Sequence, residues 1–264
     1  MRFTKMQGLG NDYIYVYGEV PGSAAELSVR LSDRHFGVGA DGMIYISPSP
    51  VVDFRMRVFN ADGSEALMCG NGIRCVGKFV YDKGYTDKTT LKIETLSGVR
   101  TVNLHVTDGY VASASVDMGA AVVGEDMTLA VDETTVTCTP VSVGNPHAVL
   151  FVDDAEQAPV NTVGPLLEHD AAFPGGVNVE FVQILGDQAL RMRVWERGSG
   201  VTMACGTGAC ASAAAAVHKG YCRADQPVTV ILDGGPLAVT VGADFEIIMN
   251  GSAVTVYEGE IERL

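Results

Sequence analysis

The second half of the chain repeats the landmarks of the first half in the same order. When residues 55–85 are laid over residues 191–221 without a gap, 10 of the 31 positions are identical. The segment Cys69-Gly70-Asn71-Gly72 then falls on Cys205-Gly206-Thr207-Gly208. Short repeats are typical of solenoids, whereas one repeat of half the chain indicates a duplicated domain with approximate two-fold symmetry. The duplication is therefore the strongest constraint on the fold.

Each half has the pattern of strands around one helix. Apolar residues alternate along much of the chain between glycine and aspartate turns, which predicts strands. A helix is predicted after each repeated segment, at residues 71–82 and at the alanine-rich residues 207–218. We therefore expect the α+β class, with two pseudo-symmetric domains that each wrap a mostly antiparallel or mixed β-sheet around a central helix. We place these domains at residues 1–118 and 119–264, with the last strand able to pack on the N-terminal half.

Three other segments complete the predicted plan. A helix is expected over residues 24–36, a junction between the halves over residues 118–132, and a long connection through Pro159, Pro165 and Pro174. The glycines from Gly37 to Gly42 formally fit a dinucleotide-binding pattern. That pattern must follow a strand and begin a helix, and here the order is reversed. We therefore reject a nucleotide site.

Composition narrows the class of protein. A net charge of −14 disfavours nucleic acid and anionic membranes as partners, because they need clustered lysine and arginine. The stretch from Met1 to Asp12 lacks the apolar run of a signal peptide, and the longest apolar stretch, from Ala209 to Val217, is too short for a membrane span. Six cysteines in 264 residues are typical of thiols in a reducing compartment. We expect a cytoplasmic protein that binds a small-molecule substrate and forms a homodimer.

Of the six cysteines, only Cys69 and Cys205 correspond under the duplication. Each precedes a predicted helix, where unpaired N–H groups and the helix dipole favour an anion and lower a thiol pKa. We therefore expect either thiol to serve as a base near neutral pH. The glycines beside them allow the backbone to approach a bound carboxylate. Two related thiols suit stereoinversion at carbon, in which one thiolate removes a proton and the opposite thiol returns one.

The cysteines alone are compatible with several different roles. They could be inert buried thiols, a structural disulfide, or a metal site built from Cys69, Cys75, Cys205 and Cys210. Their spacing within each half is wider than the two-residue spacing of zinc knuckles, which argues against metal. A non-enzymatic amino-acid binder or a thiol redox protein is a further alternative, since two facing thiols of low pKa can oxidise to a disulfide.

A larger set of motifs runs in order through both halves. They are Gly8-Leu9-Gly10-Asn11-Asp12, His35-Phe36-Gly37-Val38-Gly39-Ala40-Asp41-Gly42, Asn60-Ala61-Asp62-Gly63-Ser64, Cys69-Gly70-Asn71-Gly72-Ile73-Arg74-Cys75, Gly144-Asn145-Pro146-His147, Phe173-Pro174, Asn178-Val179-Glu180-Phe181, Trp195-Glu196-Arg197-Gly198 and Ala204-Cys205-Gly206-Thr207-Gly208-Ala209-Cys210. With these motifs the chain resembles the diaminopimelate epimerase family over essentially its whole length. The resemblance implies interconversion of LL- and meso-2,6-diaminopimelate in lysine and peptidoglycan-precursor biosynthesis, with no cofactor and no metal. It also implies an active site in the cleft between the two domains.

The resemblance implies a role for each motif residue. Cys69 and Cys205 fall on the two catalytic bases, and His147 and Glu196 fall on positions that tune the thiols. The positions that contact substrate are Asn11, Asn60, Asn145, Asn178, Glu196 and Arg197, and the backbone groups that hold the reacting carboxylate are at Gly70, Asn71, Gly206 and Thr207. Two departures from the family pattern are Gly42, where some members have glutamine, and Val201, where glutamate is usual.

A relative such as proline racemase, which would use a similar thiol pair on a smaller substrate, is the alternative within the isomerases. The asparagine set and Arg197 argue against it. Under the duplication Asn60 meets Glu196 and Ala61 meets Arg197, so the halves differ there. We expect Arg197, as a bidentate carboxylate reader, to hold the distal carboxylate of the substrate on one side only. Structural roles stay open for four residues, namely a surface ion pair with Glu196 for Arg197, a core position for His147, and helix caps for Asn71 and Thr207.

Overall fold

The structure is a computed structural model that describes residues 1–132 and 134–262. The described chain forms two compact units. The first contains Met1–Asp117 together with the closing segment from Asn250, and the second contains Met118–Met249. No helix in the described ranges is long and apolar enough to cross a membrane.

Strands greatly outnumber helices. In chain order the elements are β1 (Arg2–Gly8), β2 (Asn11–Tyr17), α1 (Ala24–Ser32), β3 (Gly42–Pro48), β4 (Phe54–Asn60), β5 (Glu65–Ala66), α2 (Gly70–Asp82), β6 (Thr90–Thr95), β7 (Gly98–Thr107), β8 (Tyr110–Ala120), β9 (Val122–Val123), β10 (Met127–Val131), β11 (Thr134–Ser142), β12 (Pro146–Phe151), α3 (Val160–Glu168), β13 (Asn178–Gly186), β14 (Ala189–Glu196), β15 (Gly200–Val201), α4 (Gly206–His218), β16 (Pro227–Leu232), β17 (Gly235–Val241), β18 (Glu246–Ser252) and β19 (Val254–Glu260). The predicted helices after the two repeated segments are both present.

The sheet of the first unit mixes parallel and antiparallel pairs. β2 is parallel to β3, and β3 is antiparallel to β4. β4 is antiparallel to β5 and parallel to β6, and β6 is antiparallel to β7. β1 pairs antiparallel with both β2 and the closing strand β19.

The second unit repeats this order of pairings. β12 is parallel to β13, and β13 is antiparallel to β14. β14 is antiparallel to β15 and parallel to β16, and β16 is antiparallel to β17. The duplication in the sequence is thus a duplication of topology, and the predicted α+β fold with two pseudo-symmetric domains is confirmed.

One central helix is buried in each unit. In α2 the apolar stripe of Ile73, Val76 and Val80 is completely buried. In α4 every residue from Ala209 to Ala216 is completely buried, and the helix packs against β11–β14, β16 and β17. Alanine ends at Cβ, so strands can approach α4 closely around its circumference.

Two predicted connections contain regular structure. The connection through the three prolines includes α3, with Pro159 at its N-cap and Pro165 inside it. Pro165 lacks an N–H group and so removes one backbone hydrogen bond from the helix. Burial of Val160, Val163 and Leu167 along one face of α3 outweighs that loss. The expected junction at residues 118–132 contains the end of β8 together with β9 and β10.

The first helix is shorter than predicted. α1 ends at Ser32 rather than at residue 36. The side chain of Asp33 then accepts hydrogen bonds from the backbone N–H groups of His35 and Phe36, both at 2.7 Å. This side chain competes with the helix for those N–H groups and begins a turn.

Candidate active site

Both predicted catalytic thiols are helix N-caps. Cys69 caps α2 and Cys205 caps α4, and both have extended backbone angles. The sulfur of Cys69 accepts from the N–H of Gly72 at 3.3 Å, and that of Cys205 accepts from Gly208 at 3.4 Å. The alternative that Asn71 and Thr207 are the caps is therefore wrong, because the cysteines occupy the cap positions.

A Cβ on the third residue of each helix would meet the end of a side chain from the strand beneath it. A Cβ placed on Gly72 would lie 2.6 Å from Cδ1 of Ile44, and a Cβ placed on Gly208 would lie 2.7 Å from Oε1 of Glu180. Both distances are shorter than real Cβ contacts, so a larger residue would require those side chains to move. Each helix start is therefore pressed against its floor strand, β3 or β13.

In the first unit an amide of fixed orientation faces the thiol. Nδ2 of Asn11 donates to Oδ2 of Asp41 at 2.8 Å. A carboxylate only accepts hydrogen bonds, so the amide oxygen of Asn11 must point the other way. That oxygen accepts from the Cys69 thiol and from Nδ2 of Asn71, both at 3.4 Å. Asp41 is held in turn by Arg34 at 2.9 Å.

Tyr13 is a neighbour of Cys69 that sequence reasoning missed. It is buried, and its hydroxyl interacts with the side chains of Cys69 and Asn11. Burial, followed by the negative charge of Cys69, raises the pKa of Tyr13 well above its ordinary value. The phenol therefore keeps its proton. The signal was present in the repeat, since Tyr13 follows Asn11 by two residues as His147 follows Asn145.

The thiol of Cys205 lies in a different electrostatic environment from the one expected. Burial raises the pKa of Cys205 well above its ordinary value, and the charges of Glu196 and Glu180 raise it further. Hydrogen bonds from Thr207 and Gly208 oppose this shift without cancelling it. The expectation that the helix start lowers the pKa of either thiol is thus wrong for Cys205, because burial near two carboxylates outweighs the helix end. Cys205 is held as the thiol at neutral pH.

Glu196 is the carboxylate in hydrogen-bond contact with Cys205. It also accepts a hydrogen bond from the hydroxyl of Thr202. Burial raises the pKa of Glu196, and the charge of Glu180 adds to this, while the hydrogen bonds from Thr202 and Cys205 lower it. A carboxylate of raised pKa is a better proton acceptor, so Glu196 is suited to exchange a proton with the thiol.

His147 and Glu180 form a fully buried pair. Nδ1 of His147 lies 2.7 Å from Oε1 of Glu180, and the two residues are 1% and 0% exposed. Nε2 of His147 lies 3.1 Å from the amide oxygen of Asn145, whose Nδ2 donates to Thr207 at 3.3 Å. His147 is thus buried, as expected for a core position, and its polar contacts also reach the residues around Cys205. A charged residue between Val179 and Phe181 in an apolar strand was the signal for Glu180.

Glu196 ends β14, and Arg197 begins the turn that follows it. The backbone N–H of Arg197 donates to Oδ1 of Asn178 at 3.0 Å, and Nη1 of Arg197 donates to the carbonyl of Gly175 at 2.8 Å. Asn178 is buried and also donates to the carbonyl of Pro146 at 3.1 Å. Its amide is therefore used largely to position the turn. The guanidinium of Arg197 is exposed and does not pair with Glu196, which bonds to Thr202 and Cys205 instead.

Glu168, at the end of α3, fastens the same turn. Its Oε2 accepts from the indole N–H of Trp195 at 2.7 Å, and its Oε1 accepts from the N–H of Gly198 at 2.8 Å. Burial alone would raise the pKa of Glu168, but these two hydrogen bonds, together with the charges of His169 and Arg197, lower it overall. The ionised carboxylate therefore stabilises the fold.

We expect Glu168→Gln to lower the free energy of unfolding by about 1–2 kcal/mol at pH 7, because one of the two donors then faces an amide NH₂. The folded-state pKa is depressed, so the contribution of the carboxylate is present above the ordinary glutamate pKa of about 4.3 and is lost as pH falls through the folded value. The difference from wild type should therefore shrink between pH 5 and pH 3. Urea titrations at both ends test this, and a difference that is constant or grows in acid would contradict it.

The remaining predicted residues lie near these groups. Asn60 ends β4 and donates to the hydroxyl of Ser64 at 3.0 Å, and Gly70 and Gly206 begin α2 and α4. The predicted site residues form one set in each unit. The first unit holds Asn11, Asn60, Cys69, Gly70 and Asn71, and the second holds Asn145, His147, Asn178, Glu196, Arg197, Cys205, Gly206 and Thr207. Among the described residues, no group of three or more histidine, cysteine or acidic side chains is arranged to hold a metal ion.

Comparison with known proteins identifies the family. The sequence model of the family described as diaminopimelate epimerase matches residues 3–124 and 139–256. A protein named diaminopimelate epimerase from Methanococcus maripaludis (strain C5) is 49% identical over an alignment of 280 positions that covers 99% of this chain and 100% of the relative. Another of that name from Phocaeicola vulgatus is 49% identical over 282 residues, with 99% and 98% covered.

Solved structures show the same fold at lower identity. A hydroxyproline epimerase from Agrobacterium vitis, with bound trans-4-hydroxy-L-proline, superposes with a TM-score of 0.74 at 18% identity, covering 98% of this chain and 91% of that one. At this identity the likeness concerns the fold alone. The sequence matches extend over nearly the whole chain, and the chain therefore belongs to the diaminopimelate epimerase family.

Proposed function

We propose that this protein is an isomerase that interconverts LL- and meso-2,6-diaminopimelate, a step of lysine and peptidoglycan-precursor biosynthesis. The observation that carries the proposal is the occurrence of a cysteine at the same helix N-cap in both halves of a member of this family. Inversion at carbon requires a group on each face of the reacting atom, and a duplicated thiol supplies one group for each face. A redox protein or a simple binder has no need for that symmetry.

The proposed reaction is a pair of proton transfers. One cysteine, as the thiolate, takes the α-proton, and the other, as the thiol, gives a proton to the opposite face of the carbanion. A C–H bond breaks as an S–H bond forms on one cysteine, and a new C–H bond forms as the S–H bond of the other cysteine breaks. No atom changes its oxidation state, and the proposal includes no cofactor. In the unliganded protein Cys205 is held as the thiol, which suits the donor role first. Glu196 can take the thiol proton when Cys205 acts as the base.

The helix starts are proposed to hold the reacting carboxylate. The backbone N–H groups at Gly70, Asn71, Gly206 and Thr207 lie in the first turns of α2 and α4, where helices leave N–H groups without intrahelical partners. A carboxylate bound there lies next to the capping sulfurs. Its charge is stabilised further as the carbanion delocalises into it.

The side chains of the two sets are proposed to bind the rest of the substrate. Asn11 and Asn60 from the first unit, and Asn145, Asn178, Glu196 and Arg197 from the second, provide amide, carboxylate and guanidinium groups for ammonium and carboxylate groups of the substrate. We also propose that the two units are the two epimerase halves, with β19 part of the N-terminal half. A cytoplasmic location and a homodimer stay predictions, and light scattering tests the second.

We expect purified protein in deuterium oxide to incorporate one deuterium at the α-carbon of LL-diaminopimelate as meso product forms. The thiol that protonates the carbanion exchanges with solvent, so the returning proton is a deuteron. Mass spectrometry with chiral separation follows both changes. Absence of deuterium and of meso product from a folded sample would overturn the proposed function.

A further inference from the structure

We propose that Glu180 is a positioning residue for this reaction, acting through His147, Asn145 and Thr207 to keep a hydrogen-bond donor directed at the sulfur of Cys205. The inference rests on the proposed function for its role in catalysis. Its structural part concerns only the second unit and can be tested separately.

A continuous series of polar contacts joins Glu180 to the thiol. Oε1 of Glu180 lies 2.7 Å from Nδ1 of His147, whose Nε2 lies 3.1 Å from the amide oxygen of Asn145. Nδ2 of Asn145 donates to Oγ1 of Thr207 at 3.3 Å, and that oxygen lies 3.6 Å from the sulfur of Cys205. Each step is within reach of a hydrogen bond, given the larger radius of sulfur.

Burial decides where the protons lie. Because His147 and Glu180 are almost completely excluded from water, a net charge on the pair would be costly. A neutral pair holds one proton between Nδ1 and Oε1 and a second on Nε2. Nε2 therefore donates to the oxygen of Asn145, which leaves the amide NH₂ of Asn145 to donate to Thr207. The hydroxyl hydrogen of Thr207 is then left to point at the sulfur.

The first unit lacks this arrangement at the corresponding positions. In the first unit Tyr13 pairs with Gly42 across two parallel strands, and in the second unit His147 pairs with Asn178 in the same way. The residue two positions after Gly42 is Ile44, and the residue two positions after Asn178 is Glu180. Ile44 and Glu180 therefore correspond. Both side chains lie beneath the third residue of the helix, at Gly72 and Gly208 respectively. An apolar side chain thus occupies the place of the carboxylate.

The amides of the two units consequently have opposite orientations. Asp41 turns the oxygen of Asn11 toward Cys69, whereas His147 turns the NH₂ group of Asn145 toward Thr207. Burial opposes formation of the Cys205 thiolate, and the charge of Glu196 opposes it further. A directed hydroxyl from Thr207 offsets that repulsion when the thiol has given up its proton. The series of hydrogen bonds from Glu180 to Thr207 therefore ends at the thiol whose ionisation is opposed.

The test replaces Glu180 by the residue that the first unit uses. Glu180→Ile removes the hydrogen-bond partner of His147 and places an apolar side chain beneath Gly208, so we expect kcat to fall about 10- to 100-fold, the range known for removing partners that orient metal-bound histidines. The free energy of unfolding should also fall, because Nδ1 of the buried His147 loses its partner. Glu180→Gln keeps a hydrogen-bonding partner for Nδ1 and should recover most of the rate. A loss of stability that accompanies the loss of rate, without recovery in Glu180→Gln, would assign Glu180 to packing and overturn the proposal.

A double-mutant cycle tests the route through His147. If Glu180 acts through the ring, Glu180→Ile should change kcat less than twofold in a His147→Gln background. If the double variant instead lowers kcat by the product of the two single effects, the proposal is overturned. Glu156→Gln, a neutralised carboxylate that is 59% exposed in the same unit, is the control and should keep the wild-type rate.

The protonation of His147 can be measured without any activity. In ¹⁵N-histidine-labelled protein, with His147 assigned by its loss in His147→Gln among the five histidines, we expect Nε2 to carry a proton at neutral pH. An unprotonated Nε2 would overturn the proposal even in an active enzyme. A protonated Nε2 in a protein without epimerase activity would contradict the proposed function and leave the arrangement around Glu180 intact.

Discussion

Replacing either Cys69 or Cys205 by alanine is expected to lower the rate of epimerisation by about a thousandfold or more, within the range for loss of a positioned acid or base. Inversion needs a group on each face of the carbon, so neither thiol can substitute for the other. The two N-caps are alike in backbone geometry, and at Cys205 burial and the charges of Glu196 and Glu180 raise the thiol pKa.

Each single variant should still exchange protons on one face. A remaining thiol can remove the α-proton, exchange with solvent and return a deuteron to the same face. In deuterium oxide, one variant should therefore label only LL-diaminopimelate and the other only the meso form, both without inversion. Chiral separation with mass spectrometry checks this, and it also shows which cysteine serves which face. Labelling of the same epimer by both variants would contradict the two-face arrangement.

The matched controls are the other cysteines of the same helices. Cys75 and Cys210 are buried in α2 and α4, and the position of Cys75 is already occupied by alanine, Ala211, in the second half. Cys75→Ala and Cys210→Ala should keep epimerase activity within a few-fold. A thousandfold loss in either control would mean that removing any buried thiol is enough to damage the site.

The sequence predicted features that the duplication expresses twice. The central helices, the cysteines at their starts and the strand before each of them recur in both halves, so each prediction was supported by two segments. The pairing order of β2–β6 and β12–β16 follows from the same repeat. A feature that occurs in one half alone, such as the helix α3 with Pro165 inside it, had no corresponding segment in the other half to support a prediction.

The electrostatics of the site could not be predicted because they depend on burial. A cysteine before a helix suggested a lowered pKa, but the pKa of Cys205 is raised first by burial, then by the charge of Glu196, and then by the charge of Glu180 from another strand. Asp41 likewise fixes Asn11 across 30 positions of the chain. Sequence spacing indicates which face of a strand a residue occupies, but not which distant carboxylate lies beneath it.

Arg197→Ala is expected to reduce kcat/KM for diaminopimelate about a hundredfold, equivalent to about 3 kcal/mol for a charge-assisted bidentate contact. The guanidinium is exposed, its backbone is held by Asn178, and its side chain packs against Gly176 and bonds to the carbonyl of Gly175. The overlay of the halves places Ala61 at the corresponding position of the first unit, so the group exists on one side only. That asymmetry suits a substrate with one reacting and one distal carboxylate.

Lysine, which is diaminopimelate without the distal carboxylate, separates recognition from general damage. If Arg197 binds that carboxylate, Arg197→Ala should lower kcat/KM for diaminopimelate while leaving the slow α-deuteration of lysine unchanged, so that the preference between the two substrates collapses. Arg197→Lys keeps the charge without the bidentate geometry and should be intermediate. Arg223→Ala, an exposed arginine of the same unit that pairs with Asp187, is the control. If Arg197 binds the distal carboxylate, its removal must reduce the ratio of kcat/KM for diaminopimelate to that for lysine. An unchanged ratio in Arg197→Ala would show that the distal carboxylate is bound elsewhere.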